Sequence, residues 1–266
     1  FIVLDADSGL ETVKNASEKR IPVLYKPAIS LKNNMPKTLA ARLTVGIAES
    51  IVGIVVSQAV REGTPIIVGA SFCMSGDSSQ YSFCNPDFLL LQTGITEVAH
   101  FMKIPVASTA GCTDSHTLDA QAGGDATLSL LTAAESGANM VQELGCLSYG
   151  TTGSIFQLVM CDEIVSYLKR IMRGIEVSNE KLALWDVERV GPAGEFVTSM
   201  HTHKYFKTQH WFPTLLNRMR YHEWVNQSMS SSMADRTIEK TKKLMKEHTT
   251  PVLDKKIVEQ IDDISK

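Results

Sequence analysis

The sequence predicts an α/β fold made of successive parallel βα units. From Phe1 to about Arg173 a short apolar run, a loop rich in Gly, Ser, Asp or Pro, and a longer segment with helical spacing recur in that order. The apolar runs are short and unbroken, as strands buried on both faces of a parallel sheet have to be. The length of 266 residues suits one large domain or a single α/β barrel, which needs about 250.

The strands are expected at Phe1 to Asp5, Pro22 to Lys26, Pro65 to Ala70, Pro105 to Ser108 and Asn139 to Leu144. Between them, Thr38 to Arg61 keeps apolar residues at Leu39, Leu43, Ile47, Ile51, Ile54 and Val55, spaced as on a helix face. A second helix starts after Asn85, whose side chain can cap a helix that has Pro86 at its first position. A third runs from about Asp119 to Ser136 and stops at Gly137, and a fourth from about Ile155 to Arg173 stops at Gly174. Five strands and at least four helices fall short of a closed ring of eight. Beyond Gly174 the pattern changes: Ile175 to Val190 reads as one more strand and helix, Gly191-Pro192-Ala193-Gly194 as a rigid loop, and the end as two helices around Thr249-Thr250-Pro251. Residues 1–190 are thus expected to be βα units and 191–266 an extension packed on their outside.

Composition narrows the function. With 26 basic and 29 acidic side chains spread along the chain, the net charge of −3 creates no field suited to nucleic acid or an anionic membrane. The apolar stretch from Val45 to Val60 is broken by Gly46, Glu49, Ser50, Gly53, Ser57 and Gln58, so a soluble, cytoplasmic protein is expected. The five cysteines are widely spaced with no C-x-x-C pair, which argues against a disulfide framework or structural zinc. His201 and His203, two apart, would share one face of a strand, but no third ligand follows at a recognisable spacing, and no metal is expected. Gly123-Gly124 lacks the Lys-Ser or Lys-Thr of a phosphate loop.

In a parallel α/β arrangement the strand ends converge on one rim, and the loops there carry the chemistry. The loop from Ala110 to Ala122 is dense in polar groups: Asp114, His116, Ser115, Asp119 and Gln121 are candidates, although Asp114 and Ser115 can equally make turn bonds and Asp119 can cap the next helix. Glu143 ends a buried strand, where a carboxylate is costly unless paired or used, and it suits a cationic ligand or a neighbouring basic side chain. Lys26 could bind a carboxylate or snorkel to the rim. Ser71 to Ser82 offers Phe72, Met74, Asp77 and Tyr81 to line a pocket, or forms a surface loop.

Thr113-Asp114-Ser115 followed by Asp119-Ala120-Gln121-Ala122-Gly123 resembles the D-S-K-x-x-D-x-Q-A loop of the trimethylamine methyltransferase superfamily. The likeness continues through Pro65-Ile66-Ile67-Val68-Gly69, Arg173-Gly174-Ile175-Glu176-Val177, Val190-Gly191-Pro192-Ala193-Gly194, His201-Thr202 and Trp211-Phe212-Pro213, in one order along the chain. It implies a (β/α)8 TIM-type barrel of which this chain holds the later βα units plus a C-terminal helical tail, because family members are roughly twice as long. His116 stands where the family usually has Lys or Arg, Ser148 where many members have Glu, and Ser199, Tyr205 and Lys207 where His, His and Arg are common.

Every position is a standard residue, so the chain resembles the branch without pyrrolysine, some of whose members demethylate quaternary amines such as glycine betaine. The activity implied is transfer of a methyl group from a methylated amine to the cob(I)alamin of a separate corrinoid protein. The chain itself would bind no cofactor tightly, and homo-oligomerisation stays open. Asp114, His116 and Glu143 would then serve catalysis, with Tyr25, Lys26, Phe72, Ser115, Asp119, Gln121 and Tyr149 around the substrate: aromatic rings and Glu143 on the ammonium, His116 or Lys26 on a carboxylate. Two other readings are a lyase or aldolase using Lys26 as a Schiff-base amine, and a non-catalytic paralogue that keeps the barrel surface as a binding or assembly module.

Overall fold

A computed structural model describes residues 2–4, 6–30, 36–73, 83–226, 231–249 and 253–264. The chain alternates as the spacing predicts. Strand β1 (Ile2–Leu4) leads into helix α1 (Ala6–Glu18), then β2 (Val23–Tyr25), β3 (Ala28–Ser30) and α2 (Leu39–Val60). Next come β4 (Ile66–Val68), β5 (Ser71–Cys73), α3 (Pro86–Phe101), β6 (Ala107–Thr109), α4 (Ala120–Glu135) and β7 (Met140–Gln142). A hairpin of β8 (Cys146–Leu147) and β9 (Thr152–Gly153) precedes α5 (Ile155–Met172).

Pairing runs in chain order. β1 pairs with β2 and β2 with β4, both parallel, a parallel bridge from Val68 to Val106 joins β4 to the β6 side, and β6 pairs parallel with β7. Past Pro27 and Gly69, β3 and β5 continue the same two strands as a second parallel pair. Helices α1 to α5 pack side by side in sequence order. An arc that winds in one direction with every strand parallel puts all five C-terminal strand ends on one rim. This is an α/β fold, and among the described residues the arc does not close into a ring. Asp5, expected to end the first strand at that rim, lies outside the described residues.

The caps follow the sequence. Thr38, Asn85, Asp119 and Ser154 each accept from a backbone N–H of the first turn of α2, α3, α4 and α5. Helix α2 is long and apolar enough to cross a membrane by length and composition. Its buried positions, however, are Arg42, Gly46, Ser50, Gly53 and Ser57, a stripe of mostly small residues that lets it lie close to the strands between α1 and α3. Apolar side chains from α3 and the strands form one core, with Ile29, Phe72, Phe88, Leu91, Ile95 and Val106, and α4 with α5 forms another around Ala126, Leu130, Met160, Ile164 and Leu168.

Three expectations change. Helix α1 is not legible in the sequence because its segment is polar, and the residues it is seen to bury, Gly9, Val13, Ala16 and Ser17, are small. Residues 175–190 form no strand among the described residues but two short helices, α6 (Asn179–Leu182) and α7 (Leu184–Val190). His201 and His203 sit on a helix, α8 (Met200–Gln209), so two residues apart they point to different faces instead of sharing one. The tail then holds α9 (Tyr221–Asn226), α10 (Met233–Glu247) and α11 (Lys255–Ile264), the last two being the expected final pair.

The tail is held to α5 by one carboxylate. Glu163 is 3% exposed and accepts from Thr214 N at 2.8 Å, Thr214 Oγ1 at 2.6 Å, Leu215 N at 2.9 Å and Leu216 N at 3.3 Å. Burial pushes its pKa up, but these four bonds outweigh burial and hold it below the usual carboxylate value. Lys240 of α10 donates to the same Thr214 hydroxyl at 2.7 Å, and Arg236 to Leu215 O at 2.7 Å. Replacing Glu163 with Ala leaves buried N–H donors unmet and is expected to cost about 3 kcal/mol in urea denaturation, with early proteolysis near residue 214. A carboxyl with a depressed folded pKa stabilises above its unfolded value. That contribution should therefore be full at neutral pH and vanish as the pH falls through the folded pKa, in wild type but not in Glu163→Gln.

Candidate active site at the strand ends

At the end of β2 the strand alternation sends neighbouring side chains opposite ways. Tyr25 turns to the helices: a Cβ placed on Gly53 of α2 would lie 2.2 Å from its Cδ1, so the ring fills the space that this glycine leaves open. Lys26 turns away from the helices. Its side chain is 5% exposed, passes within reach of Gly69, and its Nζ donates to Thr109 Oγ1 at the end of β6. Burial lowers the lysine pKa to about 8 against the opposing pull of Glu143 and Cys112, the two groups close enough to raise it.

Helices α2 and α3 pin the same strand ends. Ser50 Oγ lies 2.7 Å from Gly69 O, and Gln92, 3% exposed, donates to Ala70 O at 2.8 Å and accepts from Thr109 N at 3.4 Å. At the end of β7, Glu143 adopts a left-handed backbone, φ 75°. Its carboxylate accepts from Gln142 Nε2 at 3.4 Å and from the Cys146 thiol at 3.9 Å. The Gln142 Oε1 atom is buried and has no hydrogen-bond partner among the described residues. A buried acceptor beside a carboxylate favours a cationic or N–H-bearing guest.

The loop after β6 is organised by Asp125 of α4, which accepts from Thr113 Oγ1 at 2.7 Å, Asp114 N at 3.4 Å and Gln121 Nε2 at 3.4 Å. Ser115 Oγ donates to Asp119 Oδ2 at 2.9 Å, while Asp119 Oδ1 caps α4 through Ala122 N at 2.9 Å. The backbone bond from Ala122 and the one from Ser115 hold the Asp119 carboxyl below its ordinary pKa. Ser115, Asp119 and Gln121 are thus committed to bonds within the loop and the first turn of α4. His116 is exposed and its Nδ1 lies 2.8 Å from Ser148 Oγ, with its ring edge-on to Tyr149 at 6.0 Å. The backbone also joins the two loops, Thr113 N to Cys146 O at 3.0 Å and Ser148 N to Ser115 O at 2.9 Å.

The structure therefore sets Lys26 within electrostatic reach of Glu143 and His116 beside Tyr149, and leaves Asp114 half-buried. It removes two expected lining residues. Tyr25 packs on α2, and Phe72 is 3% exposed inside the core, where a Cβ on Gly46 would meet its ring at 2.9 Å. Met74, Asp77 and Tyr81 lie outside the described residues. Thr109, Gln92, Gln142 and Asp125 were not among the sequence candidates, and the signal for Gln92 was available: it is a polar residue on the buried face of an apolar helix. A cavity of about 660 Å³ lies elsewhere, between α4, α5 and the tail, lined by Gly123, Met160, Tyr167, Leu216 and Met233. Its lining includes Asp119 and Leu118 but not Lys26, Glu143 or His116, so its chemistry is separate from the strand ends. No cluster of three or more His, Cys, Asp or Glu side chains suited to a metal occurs among the described residues.

A family model described as trimethylamine methyltransferase (MTTB) matches residues 3–266. The chain belongs to that family. Over 224 residues it is 32% identical to a glycine betaine methyltransferase of Desulfitobacterium hafniense (strain Y51), covering 84% of this chain and 46% of the relative. It is 28% identical over 228 residues to the trimethylamine methyltransferase MttB of Desulfitobacterium hafniense (strain DSM 10664 / DCB-2), covering 85% and 46%. With the MttB of Methanosarcina thermophila it shares 28% identity over 244 residues, covering 91% and 50%. The chain spans about half the length of the curated relatives it matches. Asp114, Ser115, Asp119 and Gln121, which carry the resemblance in the sequence, lie in the loop that Asp125 organises.

A lysine with a folded pKa near 8 leaves a measurable trace. Competitive labelling of amines across pH should show Lys26 titrating about two units below exposed lysines. Glu143→Gln removes a charge that raises it and should move the midpoint lower. Because the folded value is depressed, the unfolded chain holds the proton longer, and the stability lost to this lysine at neutral pH should return between about pH 8 and 10.5 and be absent in Lys26→Met.

Proposed function

We propose that the protein to which this chain belongs transfers a methyl group from a methylated amine, with a carboxylate-bearing quaternary amine such as glycine betaine as the best-supported donor. Family membership supports methyl transfer from methylated amines. The observation that carries the finer reading is the pair at the strand ends: Lys26 stands within electrostatic reach of Glu143, whose neighbour Gln142 offers a buried open acceptor. A zwitterion with a cationic head and a carboxylate end has the matching charges, the head toward Glu143 and Gln142, the carboxylate toward Lys26. Tyr149, half-exposed beside His116, can lay its ring against methyl groups of the head.

In the transfer, the bond from nitrogen to the departing methyl breaks with its electron pair staying on nitrogen, and the new bond forms to an external nucleophile. A quaternary donor leaves as a neutral amine and needs no proton, so holding the substrate straight and dry is the main task of the protein. The acceptor in this reading is reduced cobalamin carried by a separate corrinoid protein, which supplies a strong nucleophile. This chain offers no Asp-x-His-x-x-Gly signature for holding cobalt itself, and the His116 Nδ1 is engaged with Ser148. The residues here bind and orient the amine.

The test is methylation of reduced corrinoid protein by the full-length protein with a panel of amines. Glycine betaine should outperform trimethylamine, and Lys26→Met should raise KM for glycine betaine by about tenfold or more while changing trimethylamine turnover little. Glu143→Gln should lower kcat/KM for both by about a hundredfold, and Asp114→Ala should cut transfer far more than thermal stability. A folded protein inactive with every amine would favour the non-catalytic reading instead.

A further inference from the structure

Four cysteines that lie far apart in sequence, Cys84, Cys112, Cys146 and Cys161, come together behind the loop after β6. Two of them have other engagements: the Cys161 thiol donates to Gly111 O at 3.2 Å and the Cys146 thiol points to Glu143. The remaining two face each other. Cys84 Sγ lies 3.2 Å from the carbonyl oxygen of Cys112, 28 positions along the chain, and is in side-chain hydrogen-bonding contact with the Cys112 sulfur. Cys84 directly precedes Asn85, the cap of α3, and Cys112 directly precedes Thr113 and Asp114. Neither sulfur is assigned contact with the substrate in the methyl-transfer reading.

We propose that Cys84 and Cys112 form a reversible disulfide, a covalent tie between the start of α3 and the loop that carries Thr113 and Asp114, made by exchange with a low-molecular-weight disulfide. Accessibility sets the order of events. Cys84 is partly exposed and Cys112 fully buried, so Cys84 is the entry point and Cys112 the resolving group. The Cys84 sulfur, on losing its proton, attacks the small disulfide and releases one small thiol. The Cys112 sulfur, its proton passing to solvent, then attacks Cys84 Sγ and releases the second. Both cysteines are oxidised, and the reagent is reduced to two thiols. Contact with Cys112, then burial, then the carboxylates of Asp125 and Asp114 hold the proton on Cys84, so exchange is slow at neutral pH and quickens in alkaline solution. Closure would fix the loop against α3, where the reduced pair leaves it held only by hydrogen bonds.

The experiment uses the folded full-length protein with oxidised glutathione, the pH stepped from neutral well into the alkaline range where the Cys84 thiolate forms, then alkylation and mass spectrometry without reduction. Cleavage at lysine and arginine leaves Cys84 with Cys73 on 62–103 and Cys112 with Cys146 and Cys161 on 104–169, whereas cleavage before aspartate isolates Cys84 on 77–86 and Cys112 on 87–113. The expected product is 77–86 joined to 87–113, separated again by dithiothreitol. Cys112→Ala should stop the reaction at a lasting glutathione adduct on Cys84, and Cys161→Ser should leave the tie intact. A wild-type protein in which Cys84 stays unreacted, keeps glutathione, or leaves Cys112 to pair with Cys146 or Cys161 would overturn the proposal.

Discussion

Where β4 meets the β6 side, the two backbones come so close that a Cβ on residue 69 would sit 2.6 Å from Ala107 O. Only a glycine fits this crossing, and the parallel bridge from Val68 to Val106 there joins β1, β2 and β4 to β6 and β7. The arc depends on that junction. It also decides the site, because the narrow approach lets the Lys26 side chain of β2 pass Gly69 and reach Thr109 on β6, two strands away. A larger residue at 69 would separate the strands and strand a buried ammonium without its acceptor.

Burying that ammonium is costly, and the strand ends are built to meet the cost. Thr109 supplies an acceptor, Glu143 supplies favourable potential, and Gln92 and Ser50 satisfy the backbone groups that the broken strand pairing leaves open at Gly69, Ala70 and Thr109. The result is still a lysine held well below its usual pKa. On the proposed reading, a rim that keeps a cation and a carboxylate within electrostatic reach of each other suits a ligand that carries both charges.

Away from the rim, the same rule recurs at Glu163. One buried carboxylate gathers the donors of residues 214–216 and so seats the tail against α5, with Arg236 and Lys240 of α10 closing over the same segment. Helix α10 packs on α5 as a result. The cavity between α4, α5 and the tail is a consequence of this seating, since Leu216 and Met233 form one of its walls.

Local chemistry by itself determined the alternation of strands and helices, since apolar runs, Asn85 with Pro86, Asp119 and the glycines at 137 and 174 act within a few residues of where they stand. It also determined the family, through the order of residues from Asp114 to Gln121 and beyond. Helix α1 escaped it because its segment is polar on average and the residues it is seen to bury are small, and 175–190 was misread because apolar residues there are mostly exposed rather than paired in a sheet. Side-chain direction was decided only by tertiary structure. Tyr25 and Lys26 are adjacent, yet the glycine at 53 takes the ring and the glycine at 69 passes the lysine, and no local pattern in the sequence links position 25 to 53 or 26 to 109. Likewise the meeting of Cys84 with Cys112, and of Glu163 with Thr214, comes from the packing of distant elements, which sequence spacing does not encode.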